Sequence, residues 1–294
     1  MARASAFARA ALAGNPSDGY GGATLAVVVR DFVAEVEATP EPDPFVAPEN
    51  ALVHATVRRF QRELAPQASP VAVRLRTSIP MAVGLGGSSA IVIATVRALC
   101  ELHHVELRRE ALASFALAVE TEELGIAAGL QDRVAQAYGG LTFMDFQAGL
   151  YEPLDPALLP PMFLAWNVEA AGPSGVTHSG LRARFERAEP AVLAAISELA
   201  DLARTARAAL LDGDAQVFAR CLDGSFDARR RMLTLDERHV AMVDLARAHG
   251  ASANYTGSGG AIVGCCEDEA ARLEVIAALT DAGHSAIAPV VTPA

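Results

Sequence analysis

The chain contains no lysine: its 24 basic residues are all arginine. That absence excludes a phosphate loop of the G-x-x-x-x-G-K-[ST] type, the strand lysine of protein kinases and any lysine Schiff base. Cysteine is scarce. Cys100, Cys221, Cys265 and Cys266 form no C-x-x-C pair and no disulfide-framework spacing, which suits a reducing compartment. There is no H-E-x-x-H, and the adjacent His103 and His104 would diverge on a helix, so no structural zinc site is expected. A G-x-S-x-G elbow is missing as well, which removes the corresponding hydrolases. Uninterrupted apolar runs fall short of the ~20 residues a membrane span needs. The opening "MARASAFARAALAG" lacks the apolar length of a signal peptide, so a cytoplasmic protein is expected. A net charge of −11 argues against a broad phosphate-tracking surface and therefore against nucleic acid.

What is present is apolar and rich in alanine. With 294 residues, 52% of them hydrophobic, the chain can bury the core of one large or two modest domains. "TLAVVVR" (24–30) reads as a strand, "TPEPDPFVAPEN" (39–50) as a Pro-rich loop, and Leu52, Val53, Val57, Phe60 and Leu64 fall at helical spacing. "PVAVRLRTS" (70–78) alternates as a half-buried strand does. "RREALASFALAVETEEL" reads as a helix stopped by Gly125, and a short helix near 130–137 leads into the strand "GLTFMDF". "LDPALLPP" (154–161) is the best boundary. Beyond it come a strand at 162–168, a polar glycine loop at 171–180 and long helices to about 250. "SANYTGSGGAIVGCC" then suggests two strands about a glycine turn, before a last helix and strand. The expectation is an α+β chain in two halves, 1–158 and 159–294.

Between the strand at 70–78 and the following helix lies "IPMAVGLGGSSAIVIATVRAL" (79–99). Three glycines and two serines at a helix start can form an anion cradle, because no Cβ obstructs the backbone N–H groups and the helix dipole adds positive potential. A structural turn is as good a reading of the loop alone. It is not a dinucleotide fingerprint, since Ser89 occupies the last glycine position.

The stretch "PMAVGLGGSSA" (80–90) resembles the P-x-x-x-G-L-G-S-S-A-A signature of the GHMP kinases, with Gly87 and Ser89 as departures. "ARAALAGNPSDGYGG" (8–22) is similar to the family's opening strand and substrate loop, with Arg9 where members carry Arg or Lys. "YTGSGGAIVG" (255–264) is similar to its C-terminal glycine motif. Three motifs in the family's order cover most of the chain. The segments "GNPSD", "VGLGGSSAIV", "AGLQDRVAQAYGGL" with "MDF", and "NYTGSGGA" look most like the glucuronokinase branch.

The resemblance implies the two-domain GHMP kinase fold, ribosomal protein S5 domain 2-like at the N-terminus and ferredoxin-like at the C-terminus. It implies ATP held by Gly84, Leu85, Gly86, Gly87, Ser88, Ser89, Ala90, Gly257, Ser258 and Gly259, and Mg²⁺ ligated by Ser88 and Glu120. Asp132 would take a proton from the substrate hydroxyl, with Arg9 orienting it. By itself a lone Asp at a helix start is more often a cap or a first-turn anion. Asn15, Asp18, Arg133 and Ser174 would bind the sugar, with Arg133 gripping a uronate carboxylate or simply standing exposed on its helix. The implied reaction is phosphorylation of the anomeric hydroxyl of D-glucuronate by a monomer or homodimer. The alternatives are another small-molecule kinase of the family, acting on galacturonate, galactose, arabinose or a heptose phosphate, or a non-catalytic sensor on the same scaffold.

Overall fold

The computed structural model describes residues 1–167 and 175–293, the side chains of 175–179 excepted. Small and β-branched residues begin the fold as a long antiparallel ribbon. β1 (Ala2–Ala13) pairs with β2 (Ala23–Pro40), from Ala2 opposite Ala38 to Ala13 opposite Leu25. β2 is much longer than the strand expected at 24–30. A register shift opposite Phe7 and Ala8 lies between Val33 and Val29, so the polar Arg30 and Asp31 are carried through a bulge without ending the ribbon. The Pro-rich segment accordingly starts as strand and also contains β3 (Val46–Ala47).

β4 (Val71–Thr77) pairs with the far half of β2 and β5 (Leu141–Asp145) with its near half. β6 (Leu150–Leu154) hairpins onto β5, and β3 runs parallel to β4, completing six strands. α1 (Ala51–Glu63) begins where the Asn50 carboxamide oxygen accepts the N–H groups of Leu52 and Val53, a cap of ~1 kcal/mol. α2 (Gly87–His103) buries Ile91, Val92, Ile93, Val96 and Leu99 around its circumference, as befits a central helix packed on β1 and β2. α3 (Arg109–Ala118) does not continue as α-helix to Gly125. It passes into a π turn, Val119–Glu123, before α4 (Gln131–Tyr138).

Past a short 3₁₀ turn, Pro156–Leu158, the chain builds a second sheet. Its strands are β7 (Met162–Trp166), β8 (Ser252–Tyr255), β9 (Ala261–Cys265) and β10 (Ser285–Ile287), antiparallel in the order β10-β7-β9-β8. The intervening and flanking helices are α5 (Gly175–Glu186), α6 (Pro190–Asp212), α7 (Ala215–Met232), α8 (Glu237–Ala248) and α9 (Glu269–Asp281). This is the α+β organisation the pattern predicts.

The sheets are stitched together. The Ala11 N–H donates to the Thr256 carbonyl (2.9 Å), and Asn254 Nδ2 donates to the Leu12 carbonyl (3.1 Å). One apolar core runs from Val27 and Leu99 through Ala203 and Phe218 to Val263. Among the described residues, no helix is long and apolar enough to cross a membrane.

Candidate active site

The glycine loop between β4 and α2 is held from behind by its carbonyl oxygens. Gly84 O accepts from Arg9 Nη1 (2.8 Å) and Thr256 Oγ1 (2.9 Å), Leu85 O from the Arg9 N–H (3.0 Å), and Gly86 O from Gln136 Nε2 (2.9 Å). Gly86 caps α2 at φ +69°, a left-handed conformation that glycine adopts without steric cost. With these carbonyls engaged by the scaffold, the other face of the loop borders a cavity of about 1210 Å³. Ser88 is exposed on that wall. Ser89 is turned under the loop, its hydroxyl donating to Gly86 O (3.0 Å), and Ala90 is fully buried. Those two side chains support the loop and do not line the cavity.

The C-terminal glycine motif backs onto the same loop. Gly257 and Ser258 reach the cavity wall. A Cβ on Gly257 would come within 2.5 Å of Gly84 O, so the close approach requires glycine. Gly259, expected with them, is not part of the cavity wall, and a Cβ added there would meet the His239 ring at 2.9 Å.

Asp132 is the second residue of α4, after Leu130 at the cap position, so it is a first-turn acid and not the cap. Arg9 Nε donates to its Oδ1 (2.6 Å), and Arg133 Nη1 lies 3.6 Å from its Oδ2. Arg9 is itself clamped by Gly84 O and Thr256 O, which fixes its fork relative to the glycine loop. The π turn carries Glu120, fully buried, whose Oε2 accepts from Nε (2.7 Å) and Nη2 of Arg133. Its other oxygen, Oε1, has no protein partner among the described residues.

Arg133, expected as a sugar clamp, borders the cavity but is paired inside the protein with Glu120. It is 3% exposed, with Nη1 on the Gly129 carbonyl (2.8 Å) and Nε and Nη2 on Glu120. A bidentate grip on a substrate would require breaking that buried pair. Asn15 is committed too: Oδ1 accepts from Arg229 Nη1 (3.0 Å) and Nδ2 donates to Gln131 Oε1 (3.3 Å). Asp18 keeps to the cavity wall, with Oδ2 taking the Gln131 N–H (3.3 Å). Burial, then the charge of Asp132, raises its carboxyl above the ordinary range. Ser174 lies outside the described residues, as does the His178 side chain.

Sequence reasoning missed Arg229, Gln131, Gln136 and the Thr256 carbonyl. Arg229 is 1% exposed, stacks over the Tyr255 ring (5.4 Å), and is brought down to about 10 by burial. The triplet "RRR" (229–231) looks like a solvated run. Helical phase was the available signal, since Phe218, Leu222, Ser225 and Phe226 put position 229 on the buried face of α7.

The description "GHMP kinases N terminal domain" matches residues 51–140. The chain is 33% identical to "Glucuronokinase 1" of Arabidopsis thaliana, an alignment covering 92% of this chain and 86% of that protein. Among solved structures, the galactokinase of Lactococcus lactis complexed with galactose superposes with a TM-score of 0.80 at 13% identity, covering 99% of this chain and 94% of that one. The mevalonate kinase of L. major in complex with R-mevalonate gives 0.77 at 18% identity, over 100% and 97%. At such identities the superpositions speak for the fold. The sequence match runs almost end to end, and the chain therefore belongs to the GHMP kinases, a family of ATP-dependent kinases.

Proposed function

We propose that this kinase transfers the γ-phosphoryl group of ATP to the anomeric hydroxyl of D-glucuronate, giving glucuronate 1-phosphate. The observation that carries the sugar is the near full-length similarity to a glucuronokinase. Supporting the chemistry is the chain of contacts Asp132–Arg9–Gly84, which ties a candidate base to a candidate phosphate loop through one buried guanidinium. Asp132 takes the hydroxyl proton as the oxygen bonds to the γ-phosphorus, and the bond from that phosphorus to the ADP oxygen breaks. Arg9 orients the carboxylate and faces the charge on the transferring group.

Mg²⁺ fits the residues present. Exposed Ser88 and the buried Oε1 of Glu120, unpartnered among the described residues, are oxygen donors that both border the cavity, few in number, as this ion prefers. When bound, the ion would neutralise charge on the phosphates. A catalytically silent sensor would have no use for this convergence of base, arginine and oxygen donors.

ATP consumption measured with glucuronate, galacturonate, galactose, arabinose, a heptose phosphate and mevalonate tests the assignment. Glucuronate should give the highest kcat/KM, and Asp132→Asn should lower kcat by ~10²–10⁴-fold while ATP still binds. Preference for another acceptor would overturn the sugar, and near-normal turnover by the variant would overturn the base.

A further inference from the structure

Three arginines line the cavity among the described residues: Arg9, Arg133 and Arg182. Without lysine in the chain, they are the only permanently cationic side chains on its described wall. Two of them are neutralised, Arg9 by Asp132 and Arg133 by Glu120. Arg182, on α5, forms no ion pair among the described residues. Its Nη2 donates to the Gly19 carbonyl (3.1 Å), and its guanidinium carbon sits 5.1 Å over the Tyr20 ring. That ring is backed by Phe185 at 4.4 Å between centroids. The guanidinium is therefore propped in place by neutral groups, with its other N–H donors uncommitted among the described residues.

Its position selects between the two anionic substrates. Gly19 and Tyr20 belong to the 3₁₀ turn Ser17–Tyr20 that carries Asp18. From there, contacts run Asp18 to Gln131, the neighbour of Asp132, then Asp132 to Arg9, then Arg9 to Gly84. Arg182 thus stands at the far end of this sequence from the glycine loop. A sugar whose reacting hydroxyl lies at Asp132 would direct its remaining substituents toward Asp18 and Arg182. Glu186, one turn further along α5, also lines the cavity, and with Asp18 it makes this rim acidic apart from Arg182. A carboxylate admitted there has one suitable partner among the described residues.

We infer that Arg182 is the specificity-determining residue that binds the carboxylate of the uronate substrate, an inference that rests on the glucuronate assignment above. A charge-assisted guanidinium–carboxylate contact stabilises the complex by an amount equivalent to about ten- to a hundred-fold in affinity. Arg182 is exposed, so its replacement should leave the fold intact.

The experiment compares wild type, Arg182→Gln and Arg182→Lys with glucuronate and a neutral hexose, recording kcat, both KM values and the melting temperature. Arg182→Gln should raise KM for glucuronate by about ten- to a hundred-fold, leaving KM for ATP and turnover of the neutral hexose within about two-fold, and Arg182→Lys should recover part of the loss. A rise confined to KM for ATP would assign Arg182 to the phosphates and overturn the inference. So would equal losses on charged and neutral sugars, or an unchanged KM for glucuronate in an otherwise active enzyme. Failure of the wild type to phosphorylate glucuronate would overturn the substrate assignment and this inference together, a result distinct from the other three.

Discussion

Gly257→Ala should slow turnover by about a hundred-fold without unfolding the protein. A Cβ at that position would lie 2.5 Å from Gly84 O and 3.0 Å from both terminal nitrogens of Arg9. The obstacle is contact, since Gly257 has no left-handed φ. A flexible side chain could swing aside, but Gly84 O is a backbone atom already clamped by Arg9 and Thr256. To reach ordinary contact at 3.4 Å, the carbonyl must retreat by about 0.9 Å, taking the glycine loop or the Arg9 fork with it. A misplacement of about 1 Å in a catalytic constellation can cost ~10²-fold in rate. Overpacking of this kind destabilises by ~1–3 kcal/mol, a few degrees of melting temperature, so the fold should survive. Steady-state kcat, KM for ATP and a thermal melt measure the effect. Gly180→Ala is the matched control, because a Cβ there meets nothing within 4 Å. Should Gly257→Ala retain kcat within two-fold of wild type, the arrangement of Arg9 behind the loop does not set the rate.

Arg133→Gln should be primarily a stability defect: Glu120 would be left buried without its cation, at a cost of ~3–5 kcal/mol. Chemical unfolding measures it, with Glu120→Gln added to recover part of the loss, and wild-type stability with a selective loss of glucuronate turnover would refute it. Asp18→Asn should raise the melting temperature at pH 7 while weakening sugar binding. Because burial and Asp132 raise the folded-state pKa above the ordinary 3.8, ionising Asp18 costs stability above that raised value, and the cost fades as pH falls through it. The advantage of the Asn variant should therefore vanish below about pH 3.8, and a gain that is constant with pH would contradict this account.

Much of the fold was legible because its signals are local. The Asn50 cap, the alternation of 70–78 and the glycine loop each announce themselves within a few residues. The length of β2 was not, since Arg30, Asp31 and the prolines that follow look like a strand end unless the bulge against β1 is known. In the site, Asp132 and Ser88 were found through motifs and do border the cavity. The environment of Arg133 was hidden for a different reason. Its partner lies in the π turn at 119–123, and a change of helical pitch leaves no mark in the hydrophobic period. Arg182 lies beyond all the motifs, and its neutral setting depends on a turn more than 160 residues earlier in the chain.

The shared core has a consequence for how the chain could be divided. Severing it between Leu158 and Leu159 would cut only the link between the sheets, yet neither fragment would keep a closed interior. The first would lose Ala203, Phe218 and Val263 from its apolar packing, and the second would expose those residues to water. The first would also carry an Arg9 without Thr256 to hold it. Such fragments would be obligate partners. Mixed in equal amounts they should regain activity that neither has alone, and its dependence on their concentration would measure how strongly one half of the kinase binds the other.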